Sequence, residues 1–267
     1  MKMHLPFVLL LALLLSMFSL SHAFTVVIGD GTASDYEPFN IYNGYGRSVG
    51  LYTNAQIGQF GRITSLGWSV AIPGEIAFTY KIYAMTTTAT ELSRMGWVHF
   101  TDQATLVKDG TNEPHAFDTS GWHNFVLDTP FDYNSGNLLI GVETNYGYWG
   151  APPEMVPTFH YTDGTPNSHQ YWRTALYPPT TLQGQLNASL PNLKLEISYA
   201  PNVEVTLSDS NVILTWDPVA GATGYKVFAS EDPYSFDTEP LTTVNTNTFT
   251  LPAMENRRFF KITAIMP

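Results

Sequence analysis

Apolar residues recur at every second position along most of this chain and almost nowhere at helical spacing. Ile76, Phe78, Tyr80, Ile82 and Ala84 alternate with Ala77, Thr79, Lys81 and Tyr83. Residues 61–70, 122–127, 138–142 and 193–197 read the same way, as half-buried or fully buried strands. Turn clusters separate them: Gly29-Asp30-Gly31, Tyr42-Asn43-Gly44, Ile72-Pro73-Gly74, Lys108-Asp109-Gly110 and Asn134-Ser135-Gly136. The 20 Gly and 18 Pro supply this turn density. Short strands between frequent turns imply an all-β sandwich or barrel. Residues 90–95 are the one stretch compatible with a short helical turn.

Residues 1–23 have the form of a secretory signal peptide. Lys2 gives the positive start, residues 5–20 the apolar run, and Ser21-His22-Ala23 the small residues of a cleavage site. A membrane anchor is the alternative, but Pro6, Ser16 and Ser19 interrupt a run that is barely long enough to span. No second long apolar run follows, so the expected protein is secreted or displayed on the cell surface, with no membrane span after cleavage. A net charge of −11 argues against nucleic acid or an anionic membrane as partner, since both need clustered Lys and Arg. The absence of Cys excludes a disulfide framework, cysteine-ligated zinc and a thiol nucleophile. An exported chain without Cys points to a bacterial source.

A boundary is expected near Ala200-Pro201-Asn202, between a closing strand at 193–199 and a new strand series. The expected parts are 24–199 and 201–267. In the second, Val212, Leu214 and Trp216 share one face, as do Tyr225, Val227 and Ala229, and Phe260, Ile262 and Ala264. The runs 212–219, 221–228 and 258–264 resemble the B, C and F strands of a fibronectin type III domain. That resemblance implies a small sandwich. The segment is shorter than the roughly 100 residues usual for the class. Its last strand is expected to be missing or supplied by another surface, and the corner tyrosine has no match, Arg258 or Phe260 falling there. A spacer role is expected, with partner docking at an open edge as the alternative.

Residues 24–199 resemble a module of secreted and surface proteins of Bacteroidetes-like bacteria. The resemblance rests on Gly29-Asp30-Gly31-Thr32-Ala33-Ser34, Pro38-Phe39-Asn40, Gly61-Arg62-Ile63-Thr64-Ser65-Leu66, residues 121–127, Pro130-Phe131-Asp132-Tyr133, residues 137–142 and Pro191-Asn192-Leu193-Lys194-Leu195. It implies a jelly-roll-like β-sandwich on exported proteins and no established activity.

Motifs for catalysis are poor. Gly46-Arg47-Ser48-Val49-Gly50 matches G-x-S-x-G, but a nucleophile elbow needs a helix after the serine, and 49–53 continues as a strand. Asp132 and Glu143 have the spacing of a calcium loop, yet the intervening strand separates them. Asp30 and Asp35 are the better candidates for a structural calcium, and no other cofactor is expected. His99, His115, His123, His160 and His169 show no metal-ligand spacing and read as solvated loop and strand residues. Glu143, Glu154 and Asp163 are acidic, but nothing pairs them across a cleft as glycoside hydrolysis requires.

Aromatic residues carry the strongest functional signal. Tyr146, Tyr148 and Trp149 lie in a Gly-rich stretch before Pro152-Pro153, with Tyr161 and Tyr171-Trp172-Arg173 in the segments that follow. Rings in Gly/Pro-rich loops are badly placed for a core, and flat rings beside Asn, Asp or Arg suit sugar binding. Packing across the sandwich end is the alternative. The expected function is therefore a non-catalytic binding or adhesion module for carbohydrate or a surface protein. A structural or assembly protein docking through an open β-edge is the second reading, and a hydrolase the third.

Overall fold

The computed structural model describes residues 23–147, 149–180, 182–199, 201, 203–219, 221–232, 235–253 and 258–265. Apart from Ala23, the expected signal peptide lies outside them. The architecture is an all-β, antiparallel sandwich.

One sheet runs in the order β1 (Ala23–Ile28), β15 (Leu193–Ser198), β4 (Gly61–Ile72), β11 (Thr158–Asp163) and β14 (Ser189–Pro191). Onto it β2 (Ala33–Asp35) adds at β11 and β9 (Gly121–Tyr133) at β4. The facing sheet runs β13 (Gln185–Asn187), β12 (His169–Thr174), β3 (Tyr45–Tyr52), β10 (Asn137–Asn145), β6 (Tyr80–Thr87) and β7 (Thr105–Asp109). A two-stranded piece pairs β5 (Ala77–Phe78) with β8 (His115–Ala116). Two further sheets follow. One is β16 (Val203–Ser208), β17 (Asn211–Trp216) and β20 (Thr248–Pro252); the other is β19 (Thr242–Val244), β18 (Gly224–Ser230) and β21 (Phe259–Ile265). Every strand pairing among the described residues falls within 23–198 or within 203–265.

The pattern of β4 shows how side-chain spacing shapes the sheet. Ile63, Leu66, Trp68 and Val70 are all buried, yet Ile63 and Leu66 are three residues apart. Strict alternation would place them on opposite faces. The register shifts between Ile63 and Ser65 against β9, and between Glu196 and Ile197 against β15. Such a bulge absorbs the extra residue and returns Ile63 to the core. In β10 the apolar run is continuous because both faces are covered. Leu138, Ile140 and Val142 enter the main core, and Leu139 enters a second cluster with Val49, Leu51, Trp97, Phe100 and Trp172.

That second cluster is closed by a short helix, α2 (Trp97–Thr101), whose Trp97 and Phe100 are spaced to face the sheet together. The helix expected at 90–95 is therefore displaced. Residues 92–95 carry no helical turn, and the Trp97/Phe100 pair fixes the turn beyond Gly96. A second turn, α1 (Asn54–Ile57), is held by a capping box between Thr53 and Gln56.

Phe39 sits at the centre of the main core, fully buried in the segment between β2 and β3. Its ring centroid lies 4.8 Å from Phe117, 5.0 Å from Trp68, 5.5 Å from Phe159 and 5.6 Å from Phe125. In the C-terminal pair of sheets, Leu214, Trp216, Tyr225, Val227, Phe260 and Ile262 meet in one core, on the faces that the alternation predicts.

Phe39→Ala is expected to cost about 3–5 kcal/mol, the range for a large aromatic removed from a packed core. Val126→Ala, on the solvent face of β9, should stay within about 0.5 kcal/mol. Chemical denaturation midpoints of the two variants against the parent check this. Equal shifts would contradict the placement of Phe39.

Candidate functional site

Three connections leave the same end of the first sandwich: 36–44 before β3, 146–157 after β10 and 175–184 after β12. Register puts their roots side by side, since Tyr45 pairs with both Asn145 and Thr174. Backbone hydrogen bonds then knit the loops into one rim. The N–H groups of Tyr146 and Gly147 donate to Gly44 O at 2.8 and 3.2 Å. Those of Gly44 and Ala151 both donate to Ile41 O at 3.0 Å, and Trp149 N–H donates to Ala175 O at 3.2 Å. The Thr174 hydroxyl donates to Tyr177 O at 2.6 Å.

Two glycines make this closeness possible. A Cβ on Gly150 would stand 2.0 Å from Tyr42 O, and one on Gly44 would stand 2.2 Å from Gly147 O. Between Gly147 and Gly150, Trp149 adopts φ 71°, a left-handed backbone that a bulky residue rarely takes. Its side chain is 71% exposed. Tyr177 is 67% exposed, and Leu176, Tyr42 and Tyr146 in the same three loops are exposed as well. The rim thus presents aromatic surface on a backbone held by many hydrogen bonds.

The aromatic residues expected to form the site divide. Tyr146 and Trp149 are on the rim, while Tyr148 lies outside the described residues. Tyr161 is in β11, paired with Ala33 and Pro191, away from the rim loops. Tyr171, Trp172 and Arg173 belong to a strand, β12, not to a loop. Trp172 is buried on the face covered by α2. Its Nε1–H donates to Leu182 O at 2.7 Å, and its ring packs edge-on against Trp97 at 5.6 Å. The sequence expectation of an accessible Trp172 is therefore corrected: period-two alternation turns it inward. Tyr171 is half-buried, with its hydroxyl donating to Gln185 Oε1 and the Arg173 guanidinium 4.5 Å from its ring centroid.

Arg173 is committed to structure. It donates to the carboxylates of Glu37 and Asp35. Burial pushes the Glu37 pKa up, against the Arg173 hydrogen bond and charge that favour ionisation. Burial also opposes the Arg173 charge, but the two carboxylates more than offset it, so its pKa is raised. One row across the sheet, on its other face, buried Arg47 meets Glu143 at 3.4 Å and donates to Asn145 Oδ1 at 2.9 Å. Glu143 also accepts from Trp97 Nε1 and from Asn145 Nδ2.

Sequence reasoning missed Tyr42, Leu176 and Tyr177. A signal for Tyr177 was present, since Tyr177-Pro178-Pro179 repeats the pattern of an aromatic ahead of a Pro-Pro pair seen at Trp149. The serine of the G-x-S-x-G match is hydrogen-bonded in the core. Ser48 Oγ lies 2.8 Å from His169 Nε2, and His169 Nδ1 lies 3.0 Å from Asn187 Oδ1. Ser48 stands mid-strand in β3, and both Ser48 and His169 are buried. The reading of His169 as a solvated residue is corrected accordingly. With Nδ1–H donating to Asn187, Nε2 accepts the Ser48 proton, and the trio satisfies its own polar groups in the core. Burial drops the His169 pKa to about 4, even though its bond to Asn187 favours the charged form.

His115 and His123, also expected to be solvated, form a hydrogen-bonded pair at 3.0 Å, with His115 half-buried against Phe117 and Phe125. Among the described residues no group of three His, Asp or Glu side chains is placed to hold a metal ion. Asp35 pairs with Arg173 at 2.8 Å.

No family model matches the chain, and no curated protein matches it. Solved structures overlap it in part. The cysteine protease and lectin-like domains of Cwp84, a surface layer associated protein of Clostridium difficile, share 8% identity at a TM-score of 0.37, covering 58% of this chain and 32% of that one. A β-1,2-glucanase from Parabacteroides distasonis shares 13% identity at 0.23, covering 78% and 26%. A β-D-glucuronidase from Dictyoglomus thermophilum shares 9% at 0.26, covering 93% and 42%. The chain spans less than half the length of each.

Two outcomes follow from the buried polar groups. His169 is neutral when folded down to about pH 4 but takes a proton near 6.5 when unfolded. The unfolded state therefore binds more protons between these values, and stability falls as pH drops through that window. Relative to His169→Asn, the parent should lose on the order of 3 kcal/mol between pH 7 and pH 4, measured by urea unfolding. Separately, Arg173→Met should cost about 3–5 kcal/mol by leaving the Glu37 carboxylate buried without its cation, and adding Glu37→Gln should recover part of that loss.

Proposed function

We propose that this chain is an exported, non-catalytic binding module that contacts carbohydrate through the aromatic rim of its first sandwich. The observation that carries the reading is Trp149, exposed and held at φ 71° within backbone-bonded loops. A left-handed tryptophan costs stability and persists only where the surroundings impose it. Here they impose it on a solvent-exposed ring, in loops that also expose Tyr177, Tyr146 and Tyr42. Such rings stack on the apolar faces of sugars, and fixed loops lower the ordering cost of binding. Asn43, between Tyr42 and Gly44, has a side-chain amide with no hydrogen bond to the described residues, and it supplies polar contact for sugar hydroxyls.

A non-catalytic role is supported by the state of the candidate groups. Ser48 and His169 have no surface for a substrate, Glu143 is held by Trp97, Asn145 and Arg47, and Asp163 accepts from Ser189. We read residues 201–267 as a fibronectin type III-like spacer. The edge strand β21 is met at Ala264, whose N–H donates to Tyr199 O at 3.4 Å, which favours a spacer over an edge that docks a partner.

A glycan-array screen of residues 24–267 should find a carbohydrate ligand. Trp149→Ala and Tyr177→Ala should each weaken binding roughly tenfold or more, with denaturation midpoints close to the parent. Trp172→Ala, which opens a core, should lower stability instead. Folded protein that binds no glycan would sink the proposal.

A further inference from the structure

We infer that the rim selects uncharged glycans and rejects acidic ones such as uronates and sulfated sugars. This deepens the carbohydrate reading and rests on it. The cations near the rim are already engaged. Directly beneath it, register aligns Arg173 with Gly46, Gly46 with Thr144, and Thr144 with Tyr80. The neighbouring positions in these strands, Arg47, Glu143 and Lys81, form the adjoining row. The three cations in these rows are all paired. Arg173 holds Glu37 and Asp35, Arg47 holds Glu143, and Lys81 lies 3.7 Å from Asp109.

Recruiting Arg173 to a ligand anion would strip the buried Glu37 carboxylate of its partner, and recruiting the buried Arg47 would break its pair with the partly buried Glu143. Breaking a buried pair is expensive, and a sugar carboxylate at an exposed rim returns far less. Lys81 is nearer to solvent, but it shares its position with Asp109 and Glu143. The remaining charge at the rim has the wrong sign for an anion. Glu154 is exposed just after Ala151, with no ion pair to the described residues.

Arg94 is the one cation of the segment over this sheet that is exposed without an ion pair to the described residues. It precedes Met95, whose carbonyl accepts from Gln170 Nε2, and Leu92 N–H donates to Asn167 O at the opposite end of the strands. Met95 O also accepts from the N–H of Gly184, the last residue of the 175–184 connection, so Arg94 lies between the levels of Asn167 and Gln170, below Thr174 where that connection begins. Uncharged hydroxyls facing the rings of Trp149 and Tyr177 and the amide of Asn43 match what is present. A fixed negative charge does not.

The test is a titration of the parent chain with neutral oligosaccharides, each paired with its C6-oxidised uronate. It uses calorimetry at low and at physiological ionic strength. The expected result is neutral binding that depends on Trp149, with each uronate at least tenfold weaker at low salt. Salt should narrow that gap because it screens repulsion between exposed charges. Glu154→Gln should narrow it also, about two- to threefold, by tightening uronate binding more than neutral binding. A uronate that binds as tightly as its neutral partner, with the same loss in Trp149→Ala, would overturn the inference and leave the carbohydrate reading intact. If that uronate binding were lost in Arg94→Ala, the overlooked cation would be identified. Absence of binding to both members of every pair would remove the carbohydrate reading and the inference with it.

Discussion

The segment from Glu37 to Ile41 passes between the two sheets, and the rest of the first sandwich is organised around it. Phe39 fills the centre of the core, where rings from β4, β6, β9 and β11 converge on it. On one side Glu37 clamps Arg173 of β12. On the other, Asn40 O accepts the Thr144 hydroxyl of β10 at 2.7 Å, and Ile41 O accepts from Gly44 and Ala151. One buried stretch therefore anchors both sheets and the loops above them. The burial of Phe39 is hydrophobic and non-directional, but the hydrogen bonds around it are directional. They convert core packing into a fixed loop geometry.

That geometry explains why a strained tryptophan can be held in solvent. A flexible loop would relax Trp149 out of the left-handed region at little cost. Here Gly44 and Gly150 let two backbones approach more closely than any side chain would allow, and the bonds to Ile41, Gly44 and Ala175 leave little room to relax. Ion pairing below the rim acts in the same sense. It engages Arg173, Arg47 and Lys81 in holding the strands together, and among the described residues it leaves the rim with exposed rings, the Asn43 amide and the Glu154 carboxylate.

Much of this was legible in the chain. Strand positions followed from alternation, because a sheet with one buried face repeats every two residues. The aromatic loop at Tyr146–Trp149 stood out because Gly and Pro flank it. Trp172 misled because its neighbours, Tyr171 and Arg173, read as loop chemistry. Only the pairing of β12 with β3 shows that alternate residues of that stretch face a second core beneath α2. The partners of Arg173 were hidden for a related reason. Glu37 and Asp35 are 136 and 138 residues away in sequence, and no local pattern encodes a contact of that separation. Ser48, His169 and Asn187 show the same limit, since register alone brings them together.

The chain has six tryptophans, each with one indole N–H that reports its own surroundings. A nitrogen–proton correlation spectrum recorded during titration with a neutral oligosaccharide found in the array screen tests the central claim directly. The account predicts that the Trp149 indole moves with ligand while the buried Trp68, Trp97, Trp172 and Trp216 stay in place. A spectrum in which Trp149 is unchanged and Trp122, on the face of β9 where Lys194 covers it, moves instead would place the ligand on the open sheet and contradict the rim.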